Sequence, residues 1–280
     1  LISQVQENDH YFGTVGAFSE VYDDGSIYKE FEQLEELFTE GKAVSNDRIT
    51  LLLKRCGNER NLACGKRLHH LILSKGMLSD MTIANQMIEM FSSLGSFTEI
   101  HEIFIDLPKE SRSSWNVVIS SFVKHGHAVK ALDMYNKMRE SQNEPDSEIF
   151  INAIKACCIL QYLEQGILIH NHTVESGYEL NVFVGNALID MYSKCKDTQN
   201  ARRVFDKLRV KTSASWNAMI ACYSQHGHGK EAVELFKRME NEGLKPDEIT
   251  FVNVLSACSH AGLVDVAVQL FISAEKLRTN

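Results

Sequence analysis

From residue 46 onward the sequence repeats itself every 101 residues. NDRITLLLKRC opens at Asn46, SEIFINAIKACC at Ser147 and EITFVNVLSAC at Glu248. Each period divides again, at Met81 and Arg112 in the first and at Val182 and Ser213 in the second, giving blocks of 35, 31 and 35 residues in a recurring order. A chain of this kind has no single centre. Each block covers its apolar face only with its neighbours, which is the arrangement of a solenoid. Function then belongs to a surface that several blocks share.

Within a block the pattern is that of a helical hairpin. In 112–146, Trp115, Val118, Ile119, Phe122 and Val123 follow the i, i+3, i+4, i+7, i+8 spacing of one helix face. The polar break KHGH follows, and Ala131, Leu132, Met134, Tyr135 and Met138 resume a helical stripe. EPD closes the block, since its Pro cannot continue the second helix. Residues 213–247 repeat this design with Trp216, Met219, Ile220 and Tyr223, then QHGHG, then Ala232, Leu235, Phe236 and Met239, then KPD. Ahead of the array, Ile27, Phe31, Leu34 and Phe38 predict one amphipathic helix over Ile27–Lys42 that caps the open end. Residues 1–26 show no sustained period and read as loop or disorder.

Charge is distributed unevenly. The net charge is −8, yet residues 1–45 hold ten acids against Lys29 and Lys42, leaving 27 acids and 27 bases in residues 46–280. The array itself is neutral, so its sum neither repels a polyanion nor argues for one. No apolar run approaches the ~20 residues of a membrane span, and a soluble protein is expected. The acid-rich start, with no Arg before Arg48, does not read as a signal or transit peptide, so any targeting sequence is expected upstream.

Two residue sets invite a metal and are better read as structure. Cys56, Cys157 and Cys258 all occupy the eleventh place of their periods, as small buried residues do, rather than forming a disulfide framework or a ligand set. HGH at 125–127 and 226–228 falls in the turn of a hairpin, and one HxH offers too few ligands for a closed zinc site. No HxE, CxxC, acidic nuclease cluster or Gly-rich phosphate loop occurs, so no catalytic residue, metal or cofactor is expected.

The polar face of the first helices carries the candidate binding residues. Asn116, Ser120 and Lys124 lie at i, i+4 and i+8; the matching sets are Asn186, Asp190 and Lys194, then Asn217, Ala221 and Gln225, then Asn85, Glu89 and Ser93. Four of seven blocks thus open this stripe with Asn, whose amide both donates and accepts and can read a base edge. The other three open it with Thr50, Ile151 and Val252. A merely solvated polar face is the alternative.

SWNVVISSFVKHGHAVKALDMYNKM, VFVGNALIDMYSKCKDTQNARRVFDKL and the segment from SWNAMIACYSQHGHGKEAVELFKRM through ACSHAGLVD strongly resemble pentatricopeptide repeats (PPRs). The block alternation resembles the plant PLS subclass: L blocks 46–80, 147–181 and 248–280, S blocks 81–111 and 182–212, P blocks 112–146 and 213–247. The resemblance implies an all-α, right-handed superhelix of seven hairpins, with residues 27–45 as a capping helix or partial repeat. It also implies binding of single-stranded RNA in a mitochondrion or chloroplast, one nucleotide per repeat.

In that family the fifth residue of a repeat meets the base and the last residue supports it. The implied pairs are Asn85/Ser111, Asn116/Asp146, Asn186/Thr212 and Asn217/Asp247, with Thr50/Asp80 resembling a guanine-type pair. Asn with Asp is the family's uracil-preferring combination, so the implied site over residues 81–247 is 5′-YUNYU-3′. Lys124 and Lys194 hold the position that contacts phosphate; Phe183 and Ile249 are the residues suited to wedge between bases. Asp47, Thr82, Ser113, Glu148 and Ala214 at the other wedge positions imply weak intrinsic affinity, because stacking contributes ~1–3 kcal/mol per base. The implied role is to direct an RNA-processing step, C-to-U editing foremost, with no membrane partner. The alternative is a scaffold for other editing or processing proteins.

Overall fold

The structure, a computed structural model, describes residues 27–107 and 112–279. The acidic segment 1–26 and Ser111 lie outside the described residues. Fifteen α-helices and one short 3-10 turn, Met77–Ser79, account for the secondary structure of those residues.

A single helix, α1 (Ile27–Thr39), precedes the hairpins. It buries Ile27, Phe31 and Leu34 and packs on both helices of the first hairpin, as an end cap must. It stops three residues before the expected Lys42. Phe38 O accepts a hydrogen bond from the amide of Gly41, which sits at φ +69° and breaks the helical run.

Seven hairpins follow. Their first helices are α2 (Asn46–Asn58), α4 (Met81–Leu94), α6 (Arg112–Lys124), α8 (Ser147–Leu160), α10 (Val182–Lys194), α12 (Ser213–Gln225) and α14 (Glu248–His260). Their second helices are α3 (Leu62–Ser74), α5 (Phe97–Asp106), α7 (Ala128–Glu140), α9 (Leu163–Glu175), α11 (Thr198–Lys207), α13 (Gly229–Asn241) and α15 (Val264–Thr279). Consecutive first helices pack directly on one another from α2 through α14, forming one continuous layer; α3, α7, α9, α11 and α13 each also pack against the next hairpin's first helix. The result is an α-solenoid.

Local chemistry explains these boundaries. Asp80, Asp146, Asn181 and Asp247 are N-caps whose side chains accept from amides of α4, α8, α10 and α14, and Thr212 caps α12 in a box with Ser215. The 31-residue blocks are short because α5 and α11 have ten residues, where α3, α7, α9 and α13 have thirteen. In both HGH turns the Gly adopts positive φ, +80° at Gly126 and +78° at Gly227, and the following His amide reaches back to Phe122 O or Tyr223 O.

The core repeats with the same period. Phe104 meets Trp115 edge to face at 4.5 Å, and Phe205 meets Trp216 at 4.9 Å. Each pair ties the second helix of a short block to the first helix of the next. Cys56, Cys157 and Cys258 are free and buried. Burial pushes the Cys157 thiol up to about 12, so it stays protonated and behaves as a small apolar group.

Candidate nucleic-acid interface

The layer of first helices presents the polar stripe along its length. Asn217 is its best-defined member. Only 8% exposed, it donates from Nδ2 to both carboxylate oxygens of Asp247, at 3.0 and 3.1 Å, while its Oδ1 accepts from Thr250 Oγ1 at 2.6 Å. Asp247 is itself held by the Thr250 amide at 2.8 Å. The fifth and last residues of block 213–247 therefore form one rigid amide–carboxylate unit, and Thr250 of the next hairpin locks it.

Burial acts to raise the Asp247 carboxyl, but the hydrogen bonds from Thr250 and Asn217 outweigh it and hold the pKa below the ordinary Asp value. A depressed carboxylate contributes stability that is present above the unfolded pKa of about 3.9 and lost as pH falls through the lower folded value. Asp247→Asn is thus expected to lower the melting temperature at neutral pH and to have a smaller effect in acid below the folded pKa, where the wild type has lost the same contribution. Circular-dichroism melts check this; an equal shift at both pH values would mean that the charge adds nothing.

Asn116, the same position one period earlier, is held differently. Its Nδ2 donates to the Glu148 carboxylate and its Oδ1 accepts from Asn152 Nδ2 at 3.2 Å. Asp146 does not bond it and instead caps α8 through the Ile149 amide at 3.0 Å. The cause is local: Ile149 stands where Thr250 stands in the later unit and has no hydroxyl to bridge the pair.

The short blocks leave their Asn less engaged. Oδ1 of Asn85 and of Asn186 is buried with no hydrogen-bond partner among the described residues. Thr212 is occupied with Ser215, its amide accepted by Ser215 Oγ at 3.2 Å. Thr50 donates within its own helix to Asp47 O at 3.0 Å, while Asp80 caps α4 and accepts from Asn46 Nδ2; the two are not joined to each other. Phe183 and Ile249 are 73% and 62% exposed at the starts of α10 and α14, free to meet a planar ligand.

Lys194 is exposed at the end of α10. Lys124 is exposed too, but its ammonium is paired with the Glu89 carboxylate. Block position places Glu89 on the stripe and Glu148 at a wedge position but not as the partners of Lys124 and Asn116 that they are; Asn152 and Thr250, also partners of the stripe, and Lys54 and Lys155 beside it are not singled out by it. The lysines had a usable signal, since both hold the ninth place of their blocks, in line with Thr50 and Ile151. Among the described residues no three His, Cys, Asp or Glu side chains converge as a metal site, and no helix is long and apolar enough to cross a membrane. In the HGH turns, His127 Nε2 bonds Ser92 O at 3.0 Å and His226 Nδ1 bonds Cys222 O at 2.7 Å, both structural contacts.

Models of the PPR repeat family match residues 111–159 and 211–260, and a PPR repeat model matches 186–212 and 249–277. The chain belongs to the pentatricopeptide repeat family. A PPR-containing protein of Arabidopsis thaliana is 38% identical over 255 residues, covering 86% of this chain and 31% of its own length. A second Arabidopsis PPR protein, described as mitochondrial, is 33% identical over 232 residues, covering 82% of this chain and 30% of its own length. The chain thus spans about a third of the curated PPR relatives it matches. Among solved structures, PPR10 from maize superposes with a TM-score of 0.64 at 17% identity over 90% of this chain and 37% of its own. PPR10 in complex with an 18-nt psaJ RNA element gives 0.61 at 17% identity over 84% of this chain and 36% of its own. These likenesses establish the PPR solenoid. The matched models are repeats, and the described residues form a stack of PPR hairpins.

Proposed function

We propose that this array binds single-stranded RNA in a mitochondrion or chloroplast, with a bias toward 5′-YUNYU-3′, and directs an RNA-processing step, C-to-U editing foremost. The observation that carries the reading is the Asn217–Asp247 unit. A free Asn side chain samples many orientations; this one is fixed by three hydrogen bonds, so its remaining donor and acceptor capacity is aimed before any ligand arrives. Preorganisation of that kind suits the reading of a base edge. Membership of the PPR family, the RNA complex of PPR10 and the mitochondrial relative support the same reading.

The block lengths support assignment to the PLS subclass, with L blocks 46–80, 147–181 and 248–280 alternating with S and P blocks. In this reading Asn85, Asn116, Asn186 and Asn217 face successive bases, with Ser111, Asp146, Thr212 and Asp247 as their supports. Thr50 with Asp80 adds a guanine-type position, Lys124 and Lys194 take phosphates, and Phe183 and Ile249 wedge between bases.

A second reading, a scaffold for other RNA-processing proteins, is favoured by one observation. The hairpin α8–α9 leaves Ile159, Leu160, Tyr162, Ile167, Leu168 and Val174 exposed. Titration of a labelled YUNYU oligonucleotide and a scrambled control against the wild-type chain separates the two. RNA reading predicts binding of both at low salt with tighter binding of YUNYU. Equal binding, or none, would hand the lead to the scaffold.

A further inference from the structure

The groove over α2, α4, α6 and α8 contains more charge than the reader stripe alone accounts for. A concavity of about 640 Å³ is bordered by Asn85, Glu89 and Lys124 and also by Lys155. A second, of about 320 Å³, shares Glu89 and Lys124 and is bordered by Lys54. The two therefore join into one trough, with a lysine at each end and the Glu89–Lys124 pair between them.

Four features set this trough apart from a solvated helix face. Lys54 and Lys155 lie one full period apart, at the ninth position of 46–80 and 147–181. The block 147–181 offers Ile151 as its fifth residue and no edge donor, so its lysine serves no base reader. Neither ammonium has an ion-pair partner among the described residues, whereas Lys124 is held by Glu89. The Lys124 ammonium holds the Glu89 carboxyl below its ordinary value, and Lys54 and His125 add to that pull, so Glu89 is an anion at neutral pH sitting among cations from three helices.

We propose that Lys54, Lys124 and Lys155 form a phosphate-binding track for the RNA backbone and that Glu89 is an internal anion which a phosphate must displace from Lys124. The inference rests on the RNA-binding reading and extends it. Lys54 and Lys155 come from the blocks that open each period, and Lys124 lies between them in block 112–146, eight residues beyond its reader Asn116. A phosphate entering the trough exchanges one anion for another at Lys124, so part of the affinity that lysine could supply is spent on releasing Glu89. That cost falls equally on every RNA sequence, because phosphates carry no base information.

The test uses Lys54→Gln/Lys155→Gln and Glu89→Gln, all exposed or half-exposed side chains whose replacements are neutral and polar, the last of them isosteric. Affinity for the YUNYU oligonucleotide and its scrambled control is measured between about 50 and 200 mM salt, where a single-strand phosphate contact contributes a log–log slope of about −0.7. Two lost contacts are expected to make that slope shallower by about 1.4 and, at about 0.1 M salt, to weaken both RNAs by roughly 25-fold relative to wild type. Glu89→Gln is expected to tighten both RNAs and to steepen the slope by about 0.7. Wild-type binding with unchanged slopes in both variants would overturn the track while leaving base reading intact. A loss confined to YUNYU would also overturn it, since that assigns the lysines to bases. If the wild type binds neither oligonucleotide at low salt, the RNA-binding reading itself fails and the track fails with it. Restoration of binding by an acidic peptide instead of RNA would assign the lysines to a protein partner and contradict the proposal.

Discussion

Trp216→Ala is expected to destabilise the array by about 3–5 kcal/mol, the range for deleting a fully buried large aromatic side chain. Trp216 is wholly buried, packs edge to face on Phe205 at 4.9 Å and lies under the Arg238 guanidinium at 5.5 Å. Its removal opens a cavity between α11, α12 and α13, and the edge-to-face contact adds about 0.5–1.5 kcal/mol beyond the area lost. The indole Nε1 has no hydrogen-bond partner among the described residues. Trp216→Phe therefore sacrifices volume without stranding an acceptor and is expected to cost well under half as much.

Because each hairpin touches only its neighbours, the damage should also be local. Hydrogen exchange should accelerate in α10 through α14 and leave α2 through α4 nearly as protected as before. Urea unfolding and exchange together check both parts. A loss below about 1 kcal/mol, or exchange accelerated uniformly along the chain, would show that the repeating aromatic pair is not the seam proposed for it.

The fold was largely legible from spacing alone. The 101-residue period places the first helix of every hairpin, because the residue before each block start is a good N-cap, and Asp80, Asp146, Asn181, Thr212 and Asp247 fill that role chemically. The HGH turns were legible because a Gly between two helical stripes supplies the positive φ that closes a helix. The end of α1 was not, since the stripe of Ile27, Phe31, Leu34 and Phe38 runs on into residues with no strong stop until Gly41.

The candidate interface was legible in position more than in wiring. Comparing blocks identifies which residues share a face, but a side chain on one first helix takes its partner from the next, some 30 to 36 residues away. Asn116 and Asn217 look equivalent in sequence, and their surroundings differ at the start of the next first helix, where Glu148 and Ile149 stand in place of Ile249 and Thr250. Thr250 joins Asn217 to Asp247, while Ile149 leaves Asn116 to Glu148 and Asn152. Lys124 likewise reads as an available cation until Glu89, one block earlier, is seen paired with it. Pairings across blocks depend on the stagger between stacked helices, which no single block encodes.

That difference sharpens the second large expectation. Asn217→Thr should cost more discrimination at its nucleotide than Asn116→Thr at its own, because only Asn217 starts from an amide already aligned by Asp247. Thr with Asp resembles a guanine-type pair, so the double change Asn116→Thr/Asn217→Thr should redirect preference from YUNYU toward YGNYG. A well-placed side chain discriminates between bases by about 1–3 kcal/mol, so two positions together should shift the ratio of affinities by at least about 30-fold. Melts of the variants control for the contacts removed around Asp247, whose carboxylate loses both hydrogen bonds from Asn217 Nδ2.

The central claim is that the fifth-position amides of this solenoid read bases. The most direct test is a four-way titration of wild type and Asn116→Thr/Asn217→Thr against YUNYU and YGNYG oligonucleotides at one fixed low salt concentration. The account predicts that wild type prefers YUNYU and that the variant reverses the preference, with most of the change carried by Asn217. Two proteins that bind both RNAs with the same ratio would contradict it.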